Sequence, residues 1–562
     1  MSADWRDLWR RRDRSRRLAA YGVAALGVIG LLSAASRPLG SRLQDLIQVV
    51  PFLVPRTARV TLVFVSFALL LTARGLRRGH RIAWTAALLL LLVSVGLHLV
   101  KGIDIEEAVL AAAGAAWLSA HRDAFPVRAS RAAAVRALVV AAGGTVVTLV
   151  IAIGLAATVG RRSPHPPHEI AIRHVRGHWV VPLDFTSHYV APVLIAMGLG
   201  LLGTVLWLLL SPHGPTPLTG EEHHAERERA RAVVNHYGGG TLDYFALRDD
   251  KQWFFAGSSV VAHAVRSGVC LVSPDPIGPV LEREQVWADF MAYAERSGWS
   301  VTVLGAAEEW LAVYEGSGLR PLYLGDEAIV DCSAFSLEGR PMRGLRQARQ
   351  RLLRAGFTVT FADPLLLADA QKQQLLDIAD AGRRGEVERG FSMTLSRLFD
   401  PHDTNLLLAI AQDGSGDAQA FIQWVPAPAI DGLSLDVMRR NTAVALPNGV
   451  MDFLVLETIR HVAETTGGGL GLNFAVMRGV LAGERQGTLG RVGRAVLSRA
   501  SERTQIESLW RFNAKYHPRW VPRYVVLSSL DALASQGLAV AGAEGITELP
   551  GIAWMSSRGG SF

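Results

Sequence analysis

Cysteine is nearly absent from this 562-residue chain, where Cys270 and Cys332 are the only two. That excludes a disulfide framework and a Cys-rich zinc module. Lysine is almost as scarce, with four among 58 basic residues. Acidic residues are thin in one region only. Residues 1–220 carry 10 Asp and Glu against 24 Lys and Arg, a net of +14, whereas 221–562 carry 40 against 34, a net of −6. The formal +8 of the whole chain therefore belongs to its first part, which argues against a generally basic nucleic-acid-binding protein. No phosphate loop, dinucleotide fingerprint or nucleophile elbow occurs. The Gly238–Gly240 and Gly467–Gly469 runs lack a following Lys-Ser/Thr and read as turns.

What the chain has is apolar length. Half of its residues are hydrophobic and its mean hydropathy is +0.23. That excludes a disordered or collagen-like chain. A membrane span needs roughly 20 mostly apolar residues. Stretches near 18–35, 58–76, 82–100, 104–120, 137–159 and 190–210 qualify or nearly do, so about six spans are expected within 1–217. The fourth, which opens on Asp104, Glu106 and Glu107, is the weakest. The basic head Arg10–Arg17 and the loops with Arg74–Arg81 and Arg122–Arg136 fall on one side of six spans. Lys and Arg favour the cytoplasmic side, so both termini are expected there and the head is expected to remain as a span. The 160–189 loop then lies outside. Its His165, His168, His174 and His178 match no zinc spacing, and it reads as a polar loop.

The remaining 221–562 is long enough for two domains. Glu221–Arg231 reads as a linker helix. Tyr244–Leu247, Ser258–Ala264, Gly268–Val272, Phe357–Phe361, Leu406–Ala411 and Ala418–Val425 read as strands, and Glu282–Gly298 and Gly344–Ala355 as helices. The mixture indicates an α/β or α+β region.

Particular stretches carry a resemblance: LDYFALRDDK from Leu242, SPDPIGP around Asp275, GDEAIVD from Gly325, GFSM at 390–393, LDVMRR at 435–440, PNGVMDFL at 447–454 and FNAKYHPRWVPRYVV at 512–526. In this order and spacing they resemble the cytosolic domain of the phosphatidylglycerol lysyltransferase family, the bacterial multiple peptide resistance factors, across nearly all of 240–527. HLVKGIDIEEA at 98–108 resembles that family's last spans. The resemblance implies two tandem GNAT-like lobes, near 218–360 and 361–562. It implies aminoacyl-tRNA as donor, phosphatidylglycerol in an anionic membrane as acceptor, and a multi-pass protein of the bacterial inner membrane. The transfer is an ester exchange, so neither a cofactor nor a metal is expected. Two alternatives stay open: another lipid or a peptide as acceptor, and a non-catalytic protein or lipid transporter with a transferase-like domain.

The chemistry needs a group to orient a hydroxyl, donors for an oxyanion, and a hold on an ammonium and a phosphate. Asp436 and Arg439, three apart, share a face if LDVMRR is helical. They are expected to be catalytic, with Arg440 beside them on substrate. Asp452 and Lys515 complete the catalytic expectation. Asn473 is an oxyanion-donor candidate, and Asp275 sits in a loop shaping the site. Arg523 is expected on phosphate, with Trp520 and Tyr524 stacking on a terminal base or sitting at the headgroup level. His517 reads as structural. Arg343, Arg346 and Arg349, in the densest basic run of the second half, are expected against tRNA or anionic lipid.

Overall fold

The apolar stretches near the N-terminus all lie on helices. In the computed structural model these are α1 (Ser2–Ala35), α2 (Leu53–Arg77), α3 (Arg81–Gly102), α4 (Ile105–Ala120), α5 (Arg131–Arg162) and α6 (Val190–Leu209). The structure describes residues 2–35, 53–102, 105–128, 131–162, 190–212, 214, 218–383, 390–476, 510–529 and 533–544. The four histidines of the 160–189 loop lie outside these residues. The chain divides into two compact units, the first holding Ala3–Gly214 with Tyr293–Ser300 and the second Pro215–Ala292 with Val301–Phe562.

Among the described residues, three helical stretches are long and apolar enough to cross a membrane by length and composition: Trp5–Ala34, Arg81–Leu99 and Arg131–Thr158. Val193–Leu209 is a shorter apolar helix. Sixteen residues in α4 rise only about 24 Å, short of a hydrocarbon core of roughly 30 Å. Helices α1 to α4 and α6 share one apolar core that includes Val23, Leu69, Leu91, Leu118 and Leu206. The Trp84 indole donates to the Leu118 carbonyl at 2.8 Å, tying α3 to α4. Helix α5 leaves Leu138 69% and Val139 65% exposed. Such a surface is stable against lipid and costly in water.

The second unit begins with α7 (Gly220–Tyr237), whose start is fixed by a capping box between Thr219 and Glu222. Strands β1 (Gln252–Ala256), β2 (Ser259–Arg266) and β3 (Val269–Val272) form a meander. Helix α8 (Arg283–Arg296), β4 (Ser300–Ala306), the short α9 (Leu311–Gly316) and β5 (Arg320–Asp331) follow. After α10 (Arg343–Arg354) come β6 (Thr358–Ala362), α11 (Asp369–Arg383), β7 (Leu407–Gln412), β8 (Ala418–Ala427) and β9 (Gly432–Arg440). Helix α12 (Val450–Thr465) leads to β10 (Gly469–Val476), then β11 (Arg519–Leu527) and α13 (Leu533–Ala543).

Among the described residues the eleven strands form one sheet, in the order β1-β2-β3-β4-β11-β5-β10-β9-β8-β7-β6. Tyr244–Leu247, expected as a strand, is instead part of a buried 3-10 turn, Asp243–Leu247. Position 360 lies within β6, and β11 pairs with β4 and β5. Helices α10 and α12 pack on the sheet through Leu345, Leu352, Phe453 and Leu454 against Trp424, Ile422 and Leu470. The long Arg-rich face of α10 is thereby left on the other side.

One local feature positions the site. Strands β9 and β10 are parallel, joined by α12, and pair only at Leu433–Leu470 and Ser434–Gly471. Gly432 allows that approach, since a Cβ there would collide with the Gly469 carbonyl. Beyond Gly471 the register of β10 against β5 shifts, and Asn473 takes φ 64°. The bulge turns β10 away, β9 continues with β8, and the two parallel strands part.

Candidate functional site at the parting of two parallel strands

Buried polar groups concentrate where β9 and β10 separate. Glu327, on β5, is completely buried. Its Oε2 accepts from Arg523 Nη2 at 2.6 Å and Nε at 2.9 Å, while Arg523 Nη2 also donates to Thr241 Oγ1 at 2.8 Å. Both guanidinium contacts fall on one oxygen. Glu327 Oε1 is buried without a hydrogen-bond partner, and so are Ser434 Oγ and Asn473 Oδ1. A Cβ built on Gly471 would lie 3.1 Å from Ser434 Oγ and 3.5 Å from Glu327 Oε1, so these two oxygens flank the glycine. Asn473 precedes Phe474, the register partner of Glu327. Buried oxygens of this kind ordinarily carry a partner. Oxygens such as these suit an N–H-rich or cationic group.

Two more carboxylates, Asp275 and Asp243, stand near Arg523. Asp275 accepts from Tyr314 Oη at 2.5 Å and from the Ala307 amide at 2.8 Å. Burial pushes its pKa up to about 6, against the pull of these two donors and of the Arg523 charge. Asp243 accepts from the Gly240 amide at 2.7 Å, and burial raises its pKa too. Burial opposes the charge on Arg523, but Glu327 outweighs it and the guanidinium is held charged more firmly than usual. Fully buried Lys251 donates to the Phe245 carbonyl at 2.9 Å and the Ser273 carbonyl at 2.7 Å. It fastens the 3-10 turn to the loop that carries Asp275, and burial pushes its pKa down to about 7.

The expected site residues divide into three groups. Asp275, Asn473 and Arg523 belong to this region, but Arg523 is spent on Glu327 and Thr241 rather than left open for a phosphate. Asp452 and Lys515 meet each other at the N-terminus of α12. The Lys515 ammonium lies 3.0 and 3.1 Å from the two carboxylate oxygens, and Tyr516 Oη donates to Asp452 Oδ1 at 2.8 Å. Gly449, at φ 99°, caps that helix.

Asp436 and Arg439 are not brought together. LDVMRR is the end of strand β9, not a helix, so residues three apart point to opposite faces. Asp436 is buried, accepting from the Leu395 amide at 2.8 Å and from Gln423 Nε2 at 2.6 Å. It anchors the 390–398 segment to the sheet. Arg439 donates to the Met438 carbonyl at 2.9 Å, and Arg440 is exposed at the strand end. Trp520 packs against the main core rather than standing free to stack, and Tyr524 meets Tyr323 edge-on at 6.4 Å. His517 is exposed, at φ 51°. On α10, Arg349 pairs with Glu457 at 2.7 Å and Arg346 donates to the Leu337 and Gly339 carbonyls. Of the three arginines expected against nucleic acid or lipid, these two are committed to the protein, and Arg343 is exposed.

Glu327, Ser434, Thr241 and Gln423 were missed. The sequence signal for Glu327 was a carboxylate, next to Asp326, opening the apolar run Ala328–Val330, since a charge in a central strand is almost always paired. Its partner lies 196 residues away, which spacing alone cannot reveal.

Apolar helices followed by a mixed sheet, with a helix crossing between parallel strands that part, define a membrane protein carrying a GNAT-like domain. Residues 231–527, more than half of the chain, match the family model described as phosphatidylglycerol lysyltransferase, C-terminal. The chain belongs to that family. It is 34% identical over 509 residues to the lysylphosphatidylglycerol biosynthesis bifunctional protein LysX of Mycobacterium tuberculosis, covering 86% of this chain and 43% of that protein. With LysX of Mycobacterium avium it shares 32% over 555 residues, 94% of this chain and 46% of that one. The chain thus spans less than half the length of these relatives. Among solved structures it is similar to L-PGS from Bacillus licheniformis, with 24% identity, a TM-score of 0.49, and coverage of 57% of this chain and 96% of that one. It is also similar to the C-terminal domain of a putative lysylphosphatidylglycerol synthetase from Agrobacterium fabrum, at 23% identity, TM-score 0.49, and 57% and 98% coverage.

Proposed function

We propose that this protein moves an amino acid, lysine or alanine, from aminoacyl-tRNA to a glycerol hydroxyl of phosphatidylglycerol. The observation that carries the reading is the buried acceptor set of Glu327 Oε1, Ser434 Oγ and Asn473 Oδ1 beside the parted strands. An aminoacyl ester presents an ammonium, which such a set binds and water does not reach. The relatives' printed names, which concern lysylphosphatidylglycerol, support the lipid acceptor.

In this reading Arg523 positions Glu327, and Glu327 holds the α-ammonium. The lipid hydroxyl oxygen attacks the ester carbonyl carbon. A new C–O bond forms, the bond to the tRNA ribose oxygen breaks, and the hydroxyl proton ends on that ribose oxygen. Asn473 Nδ2 is the candidate donor to the transient oxyanion. Asp436 serves by fixing the 390–398 segment. Lys515, 44% exposed in its side chain, remains the candidate for phosphate at the α12 end. Six spans with the basic loops inside would put both termini and the catalytic unit in the cytoplasm of a bacterial inner-membrane protein.

The test uses the full chain in phosphatidylglycerol vesicles with radiolabelled lysyl-tRNA or alanyl-tRNA. Label moving into the lipid fraction with one donor, and not with free amino acid, supports the reading. Label staying on tRNA with folded protein present overturns it.

A further inference from the structure

We propose that His224, Glu228 and His402 form a binding site for a divalent transition metal, Zn2+ being the first candidate, that clasps α7 to the 399–405 loop. Each residue offers a ligand atom, and these atoms lie within 4.8 Å of one another. His224 and Glu228 are four apart on one helix and share a face. His402 comes from a loop 174 residues further on, yet its ring lies edge-on to that of His224 with centroids 4.5 Å apart. Three donors around a tetrahedral Zn2+ sit roughly 3.3 Å apart, given bonds of about 2.0–2.1 Å, so small side-chain rotations close the set.

Two further features prepare the site. Asp400 Oδ1 accepts from the His402 amide at 2.9 Å and lies 3.0 Å from His402 Nδ1. A proton on Nδ1 donated to Asp400 leaves the lone pair on Nε2, the carboxylate–histidine arrangement that orients metal ligands. The loop and helix are also locked in register. Arg227, on α7, pairs with Asp400 at 2.8 Å and Asp249 at 3.1 Å, while Arg231 and Arg397 both reach Asp403. Arg231 Nε takes only Glu228 Oε1, at 3.2 Å, which leaves Oε2 for a cation. Two imidazoles and one carboxylate favour Zn2+, Co2+ or Ni2+ over Mg2+ or Ca2+. Both histidines are exposed, so an ion can enter without unfolding. The expectation of no metal rested on the chemistry of ester exchange, which says nothing of a site away from the reacting groups, and sequence spacing cannot place His402 beside α7.

The full chain in detergent, stripped with a chelator and dialysed, is titrated with Zn2+ alone against a chromophoric competitor and, separately, with Co2+. The expected result is one Zn2+ per chain, a rise in melting temperature, and the visible absorption of tetrahedral Co2+. His224→Ala and His402→Gln should each weaken binding by about tenfold or more, with unchanged circular dichroism. Replacing His165, His168, His174 and His178 by Ala should leave the affinity intact. No Zn2+ retained, or retention that survives the His224→Ala/His402→Gln double variant and vanishes with the four loop histidines, overturns the assignment.

Discussion

Removing Arg523 while leaving Glu327 tests whether that carboxylate is held in place by one partner. The pair is buried, with side chains 10% and 0% exposed, and its contacts are 2.6 and 2.9 Å. Breaking such a pair strands an uncompensated charge and costs about 3–5 kcal/mol. Replacing both members with neutral residues of similar volume is often close to neutral. Arg523→Met alone should therefore destabilise the protein by about 3–5 kcal/mol, and Arg523→Met/Glu327→Gln should recover most of that loss. Thr241 Oγ1 loses a donor in both variants, so its share cancels in the comparison. The assay is denaturant or thermal unfolding of the detergent-solubilised chain followed by tryptophan fluorescence, with all four corners of the cycle measured. A single variant within about 1 kcal/mol of the parent, or a double variant no better than the single, would refute the reasoning.

Other expectations concern separate residues. Asp275 is sensitive to pH: its folded pKa, about 6, lies above the ordinary 3.8 of an aspartate. Its contribution is thus fully present below pH 3.8 and is lost as pH rises through 6, a change of about 3 kcal/mol; Asp275→Asn should flatten the stability profile between those values. Lys515→Ala should lower stability by under about 1 kcal/mol, because its ion pair with Asp452 is 44% exposed on the lysine side and screened. A larger loss in an unfolding titration would mean the pair is structural. Gly449→Ala forces an alanine to φ 99° with its Cβ 2.8 Å from Ala348 Cβ, and should cost about 1–3 kcal/mol in the same titration.

The apolar helices and most strands of the second unit were legible because hydrophobic runs and period-two alternation are local signals. Ser259–Arg266, Leu407–Gln412 and Ala418–Ala427 lie where their apolar runs do. LDVMRR was not legible, since a short run ending in two arginines fits a helix or a strand equally, and pairing with β8 decides the matter. The 3-10 turn at Asp243–Leu247 looked like a strand because its buried aromatics come from packing against α7 and β1, not from alternation. The place of β11 was hidden for a different reason: it returns across the sheet to sit between β4 and β5. The site shares that difficulty. Lys515 and Asp452 were each visible as unusual residues, and only the fold shows that they face one another. Glu327 and Arg523 belong to separate sequence motifs, and neither spacing nor composition joins them.

The most direct measurement expresses the chain in a bacterium that makes phosphatidylglycerol but no aminoacyl lipids, and analyses the lipid extract by mass spectrometry. The account requires a new phosphatidylglycerol species heavier by one lysyl or alanyl residue, present with the parent chain and strongly reduced with Glu327→Gln at equal membrane abundance. An unchanged lipid profile from abundant, folded parent protein would contradict the central claim. Undiminished product from Glu327→Gln would contradict the site.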